Sequence, residues 1–285
     1  MLNEITGKLI LFWDYDTQWG GDGSRLPGGP KSWGNLEFKN TERLLALHDF
    51  YNLHACFAVV GAAALPGKRP YHDPQQIRRI HESGHEVASH SMYHEWLPGL
   101  GNVGLSRTLR DSKRALEDCI GSPVVSFVPP FNQPRDYPSK LSISLSERRE
   151  ARENRINLPV LFKALYEVGY KFCRVSYHSI FDRLHMKIFS RRRIRPSRIE
   201  KAGGLTYLRM NSRAGFGDQA LRLVDLCTNE GGFAVIYGHP HSLHSGTGQD
   251  EQHLILLFEK VQRLISENRL QVLLPNQIVG VERSI

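Results

Sequence analysis

The sequence predicts a single α/β domain of parallel strands joined by crossover helices, and three observations carry that expectation. Short β-prone apolar runs alternate with helical patterns along the chain, the signature of a parallel sheet with connecting helices. The length, 285 residues, lies in the range that α/β barrels use as one domain. The composition, 40% apolar and 23% charged with 25 Gly and 15 Pro, supports a sizeable core and excludes fibrous and disordered classes.

The elements follow in order. The apolar run 9–13 reads as a strand that ends at Asp14 and Asp16, and a Gly-rich loop follows over 19–34. Thr41 is a plausible N-cap for a helix carrying Leu44, Leu45, Leu47 and Phe50, which passes into a strand over 56–60. The same unit recurs as a helix over 73–83 with a strand over 86–88, and a helix over 106–120 with a strand over 124–128. Helices over 161–168, 218–229 and 252–268 precede strands over 171–175, 233–237 and 270–274. The Ser/Arg/Glu-rich stretch 139–157 and the basic stretch 183–201 read as insertions into one domain spanning 1–285.

Charge and cysteine content narrow the class. The net charge is +8, and residues 182–201 alone hold eight basic against two acidic side chains, so most of the excess sits in one stretch. That run has no interleaved aromatics and no reading motif, so nucleic acid is not the expected partner. Short apolar tips at Ile188 and Phe189 beside Arg191, Arg192 and Arg193 suit an anionic membrane surface or a phosphate-linked carrier; a solvated charged loop is the plainer alternative. Cys56, Cys119, Cys173 and Cys227 show no metal or redox spacing and are expected as buried thiols. No apolar run approaches a membrane span, and the first residues lack a basic segment and a small-residue cleavage site, so a cytoplasmic location is expected.

Polar residues at the C-terminal ends of parallel strands are the place to look for chemistry. Asp14 and Asp16 follow the first strand, His90 and His94 follow the strand at 86–88, residues 129–132 follow the fourth, and His239 and His241 follow the strand at 233–237. A helix beginning at His90 would bring the two imidazoles to one face about 6 Å apart, close enough for one metal ion, with one carboxylate completing the set. His81 and His85 have the same spacing, so spacing alone does not select the pair.

The segment GHEVASHSMYH (84–94) resembles the Gly-His-Glu-Ile-x-x-His-Ser/Thr-x-x-His signature of the polysaccharide deacetylase family, carbohydrate esterase family 4. IGSPVVSFVPPFN (120–132) is similar to that family's Gly-x-x-Pro and Arg-Pro-Pro-Tyr segments, and the likeness extends to FKALYEVGYKF and IYGHPH. The resemblance implies a distorted (β/α) barrel of about seven parallel strands. It further implies a hydrolase that removes an N-acetyl or N-formyl group from an amino sugar, with Zn2+ or another divalent transition metal as cofactor. Asp16, His90 and His94 would hold the metal, Asp14 would be the general base, His239 the general acid, and the backbone N–H of Phe131 an oxyanion donor. Trp19, Tyr93, Pro130 and Asn132 are expected to contact the sugar, with Trp13, Tyr15, Trp33 and Trp96 as further aromatics near the motifs. In the cytoplasm, a nucleotide-linked or lipid-linked precursor is the expected substrate.

Two departures stand against this. Val128 occupies the position of the family's arginine that orients the base, with Arg135 or Arg213 as possible substitutes, and no Asp can be placed as partner of His239. A catalytically impaired metal- or sugar-binding protein of the same fold is therefore the alternative.

Overall fold

The computed structural model describes residues 7–24, 29–135, 156–177, 194–244, 246 and 248–280. Its strands are β1 (Gly7–Tyr15), β2 (Cys56–Val59), β3 (Glu86–Ser89), β4 (Ser126–Phe127), β5 (Phe172–Val175), β6 (Glu200–Ala202), β7 (Leu205–Arg209), β8 (Gly232–Gly238) and β9 (Leu270–Val272). The helices are α1 (Thr17–Gly23), α2 (Trp33–Phe50), α3 (Pro74–Glu82), α4 (Asn102–Ile120), α5 (Leu158–Val168), α6 (Asp218–Glu230), α7 (Glu251–Ser266) and α8 (Pro275–Ile278). The sheet runs β6-β7-β5-β4-β3-β2-β1-β8, with β9 also on β1. Every ladder is parallel except β6 with β7, so the wall from β7 round to β8 is the expected seven parallel strands.

Apart from β6 and β9, the strands are buried on both faces and alternate between two cores, as the period of two requires. In β1, Ile10 and Phe12 join the barrel interior with Cys56, Ala58, Ala88, Val128, Phe172 and Val235. Leu9, Leu11, Trp13 and Tyr15 face the helices instead. Asp14 takes the last interior phase of β1, and Arg174 follows Phe172 on the interior phase of β5. The floor is closed by α8, where Glu86 accepts the Asn276 N–H at 2.9 Å and a hydrogen bond from Ser126.

β7 and β8 share no ladder. The gap is bridged by Ser197, which forms an antiparallel bridge to Phe233 with both N–H···O distances at 2.8 Å. Asn211 bonds the carbonyl of Phe233 and the N–H of Val235, and Ser212 bonds the carbonyl of Val235. The end of the basic stretch is thus barrel wall and not insertion; its residues 183–193 lie outside the described residues, as do 139–155 of the other stretch. Asn157, the last residue of that stretch, caps α5 by accepting the Val160 N–H, and the helix starts at the next residue, Leu158.

Two local expectations are corrected. Thr41 is buried in the middle of α2, which starts eight residues earlier at Trp33. Gly34 is there for close approach to Pro70 and not for a turn, so its glycine signal misread the helix start. Part of the 19–34 loop is the short helix α1. Cys56, Cys173 and Cys227 are buried free thiols and Cys119 is half-buried. Among the described residues, no helix is long and apolar enough to cross a membrane.

Candidate active site

The groups singled out in the sequence meet at the C-terminal end of the barrel. Asp16 leaves β1 with its side chain over Gly20, where a Cβ would lie 2.5 Å from the Asp16 Cβ, so only glycine leaves room for the carboxylate. Its Oδ1 stands 3.3 Å from His90 Nε2 and 3.5 Å from His94 Nε2. The donor atoms of Asp16, His90 and His94 all lie within 4.8 Å of one another and all three residues are buried.

The imidazole pair is not carried on a helix, contrary to the spacing argument. His90 follows β3 directly, and the chain then turns through left-handed residues at Ser91 (φ 63°) and His94 (φ 58°). Glu95 holds that turn: its carboxylate accepts from Ser91 Oγ (2.5 Å), the Tyr93 N–H (2.9 Å) and Thr108 Oγ1 (2.6 Å). The two rings end 5.0 Å apart. The other pair is structural: His81 meets Ser122 Oγ at 3.0 Å and His85 Nδ1 accepts the Ala55 N–H.

The donor set fits a divalent transition metal. His90 Nδ1 donates to the carbonyl of Val128 at 2.7 Å, which fixes the tautomer and directs the Nε2 lone pair at Asp16. Asp16 Oδ1 is buried without a hydrogen-bond partner, so lone pairs converge on a point that only a proton or a cation relieves. Burial opposes the charge on Asp16, but His94 and His90 outweigh it and hold the carboxyl well below the usual range. Burial drives His94 down to about 4, leaving it neutral as a ligand must be. Burial acts the same way on His90, but there Asp16 and Asp14 prevail and raise it.

Asp14 is held differently. Arg174 Nη1 and Nη2 donate to its two oxygens at 2.8 and 2.6 Å, a bidentate pair with both partners buried. Burial would raise the Asp14 pKa, but Arg174, with His90 and His239, brings it below its ordinary value. The guanidinium lies between the rings of Phe12 and Tyr237 and also reaches Asn132 Oδ1 at 3.2 Å. The arginine missing at Val128 is therefore replaced from β5. Arg135 and Arg213 do not fill that place: Arg135 lies by Gln133 and Arg213 is exposed. A charged residue on the interior phase of an otherwise apolar strand was the available signal for Arg174.

His239 Nε2 is 3.9 Å from Asp14 Oδ2. Its Nδ1 faces Gln249 Oε1 at 3.1 Å, and the same oxygen accepts the His239 backbone N–H at 2.8 Å. A neutral amide stands where the resemblance expects a carboxylate. Phe131 has φ 56° and ψ 12°, left-handed for an aromatic residue, and its ring packs on His94 at 4.5 Å and on Trp96 at 5.5 Å. Pro130 is buried beneath it.

The aromatics divide into two groups. Trp19 packs on Tyr71, His72 and Tyr93, and Tyr93, 47% exposed, offers an accessible face beside His94. Trp13 and Tyr15 are core, bonded to His48 and Gln76, and Trp33 stacks on His241 at 3.9 Å. Behind Asp16, the buried Glu37 of α2 accepts the Thr17 N–H at 2.6 Å. Burial and then the charge of Asp16 push its pKa well above the ordinary value.

Comparison with known proteins agrees with this geometry. The polysaccharide deacetylase family model matches residues 32–145, a span that contains both imidazoles and the Pro-Pro turn. A Mycobacterium smegmatis structure assigned to the polysaccharide deacetylases superposes with a TM-score of 0.65 at 18% identity, covering 98% of this chain and 91% of that one. The structure of Puue allantoinase gives a TM-score of 0.61 at 14% identity, covering 95% and 88%. No curated protein matches the sequence.

Proposed function

For a chain whose residues 32–145 match the polysaccharide deacetylase family model, we propose hydrolysis of an N-acetyl or N-formyl group on an amino sugar, assisted by a divalent metal, zinc in the first instance. The observation that carries the reading is the opposition of two half-sites: Asp16, His90 and His94 converging on one point, with Asp14 and His239 beside it and Asp14 gripped by Arg174.

A divalent ion held by Asp16, His90 and His94 would supply Lewis acidity to the acyl carbonyl and to a water. The residues do the rest. Asp14 accepts the proton of the attacking water, with Arg174 keeping it ionised and aimed. The backbone N–H of Phe131, fixed by the left-handed turn, donates to the developing oxyanion. His239, oriented by Gln249, gives a proton to the amine as the C–N bond breaks, leaving a carboxylic acid and the free amino sugar. Tyr93 and Trp19 supply a stacking face for the sugar ring, while Pro130 and Asn132 shape the opposite wall.

The concentration of positive charge in 182–201 supports a phosphate-bearing substrate, nucleotide-linked or lipid-linked, or an anionic membrane surface at which it is met. A cytoplasmic location suits such a precursor. The impaired-protein alternative loses one of its two supports, because Arg174 supplies the guanidinium that Val128 lacks, and keeps the other, because His239 is partnered by Gln249 and not by a carboxylate. The test is release of free amine from N-acetylated and N-formylated amino sugars, offered free, nucleotide-linked and lipid-linked, with metal content measured on the same sample. A stoichiometrically metal-loaded protein that hydrolyses none of them would favour the impaired reading.

A further inference from the structure

Glu37 is a carboxylate where packing asks for an apolar side chain. It lies on the buried face of α2 with Phe38, Thr41 and Leu44, and is wholly excluded from solvent. One oxygen, Oε2, accepts the Thr17 N–H at 2.6 Å; the other, Oε1, has no partner. His241 Nδ1, also buried and without a partner, stands 3.7 Å from Oε2, its ring held flat against Trp33. Burying an incompletely paired carboxylate opposes folding, so the residue calls for an explanation beyond the core.

Thr17 supplies one. It is β-branched, yet has φ +54°, in the left-handed region that such residues avoid. It is also the residue immediately after Asp16, and its N–H belongs to the Asp16–Thr17 peptide, so an acceptor on that N–H restrains the backbone of Asp16 itself. An N–H at the first position of α1 has no helical acceptor, and Glu37 provides it. The same carboxylate faces the loop that carries His239, through His241.

We propose that Glu37 is a positioning residue for the metal site: its carboxylate fixes the strained Asp16–Thr17 turn so that Asp16 is aimed at His90 and His94 before the ion arrives. The proposal rests on reading those three residues as metal ligands. A hydrogen bond that orients a ligand without touching the ion typically changes metal affinity by about 10–100-fold.

The test uses Glu37→Leu and Glu37→Gln in the full chain, with Zn2+ affinity measured by competition with a chromophoric chelator and the visible absorption of the Co2+-loaded protein recorded. Glu37→Leu is expected to weaken Zn2+ binding about 10–100-fold and to alter the Co2+ spectrum, while the metal-free protein melts no lower than wild type. Glu37→Gln, whose amide oxygen still accepts the Thr17 N–H, is expected to keep most of the affinity and the wild-type spectrum. A Leu variant with unchanged affinity and spectrum overturns the proposal, and so does one whose affinity and melting temperature fall together, which marks a purely structural role. Should that variant not fold, hydrogen exchange on metal-free wild type decides: the Thr17 amide is expected to be protected, and exchange as free as that of an exposed loop overturns the proposal. Wild-type protein that takes up no Zn2+ would bring down the metal reading itself, a result distinct from a wild type that binds and a variant that binds equally.

Discussion

Replacing Arg174 with leucine leaves Asp14 buried with neither of its two charge-assisted hydrogen bonds, at 2.8 and 2.6 Å in the intact protein. Removing one partner of such a buried pair costs about 3–5 kcal/mol of stability, because the remaining charge has lost its compensation. The electrostatics change in a defined direction as well. With Arg174 gone, burial becomes the leading influence on Asp14 and its pKa rises, where Arg174 had held it down. In the folded wild type the lowered pKa gives stability that is present above about pH 3.8 and lost as pH falls through the folded value; the variant forfeits it. The acid limb of the pH–rate profile should therefore move to higher pH, and turnover should fall toward the 10²- to 10⁴-fold, roughly, that a positioned general base contributes. Urea unfolding of the single variants and of Arg174→Leu with Asp14→Asn completes a cycle, in which the double variant recovers part of the loss. A Val128→Arg change in the Arg174→Leu background tests whether the guanidinium can return to the end of β4 and restore turnover. An Arg174→Leu protein with wild-type stability and an unmoved acid limb would refute the assignment.

Four other outcomes are expected. His90→Ala or His94→Ala abolishes stoichiometric zinc by elemental analysis, because two protein ligands do not suffice, while His81→Ala, bonded to Ser122 away from the site, retains it. Asp14→Asn keeps metal and loses most turnover, and Asp16→Asn loses both; exchanged phenotypes would reverse the roles. Burial, partly opposed by Ser126 and Asn276, raises Glu86 from 4.5 to about 7, so the proton it keeps on folding contributes stability that is full below pH 4.5 and lost as pH rises to about 7. That loss is on the order of 3 kcal/mol, and Glu86→Gln should flatten the dependence in denaturation series across this range. Replacing Arg191, Arg192 and Arg193 with serine should weaken binding to anionic liposomes or raise KM for a phosphate-linked sugar, leaving a small neutral N-acetyl substrate unaffected; no change in low salt would leave the stretch without that role.

Local pattern made the strands and helices of the wall legible, since β1, β5 and β8 are apolar runs flanked by helical periodicity. The proposed ligand trio was legible only through the 84–94 motif, because two histidines four apart say nothing of the turn that unites them. That turn depends on Glu95 and Thr108, thirteen residues apart in sequence, and spacing cannot express such a contact. Arg174 was hidden for the same reason: its partner Asp14 is 160 residues distant. The β6–β7 hairpin was legible in principle, since Gly203 (φ 57°) and Gly204 (φ 80°) form the two-residue turn that a Gly-Gly pair favours. Trp33 as the start of α2 was obscured by glycines whose purpose is contact and not turning.

The junction between β7 and β8 gives the barrel a mechanical character that its seven parallel strands alone would not. From β8 through β1 and β2 to β3, and between β5 and β7, the strands are joined by ladders of four to seven residue pairs, whereas between β7 and β8 the described residues provide a backbone bridge at Ser197 and the side chains of Asn211 and Ser212. A side-chain amide standing in for a strand makes a clasp, with fewer parallel links than a zipped edge. The clasp lies on the flank of β8 opposite β1. Because β8 leads to His239, the proposed proton donor stands on the strand that the clasp borders, while the proposed metal ligands follow β1 and β3, both laddered to β2. Asp14 and His239 thus stand on one zipped pair of strands, β1 and β8, with the clasp on its outer edge.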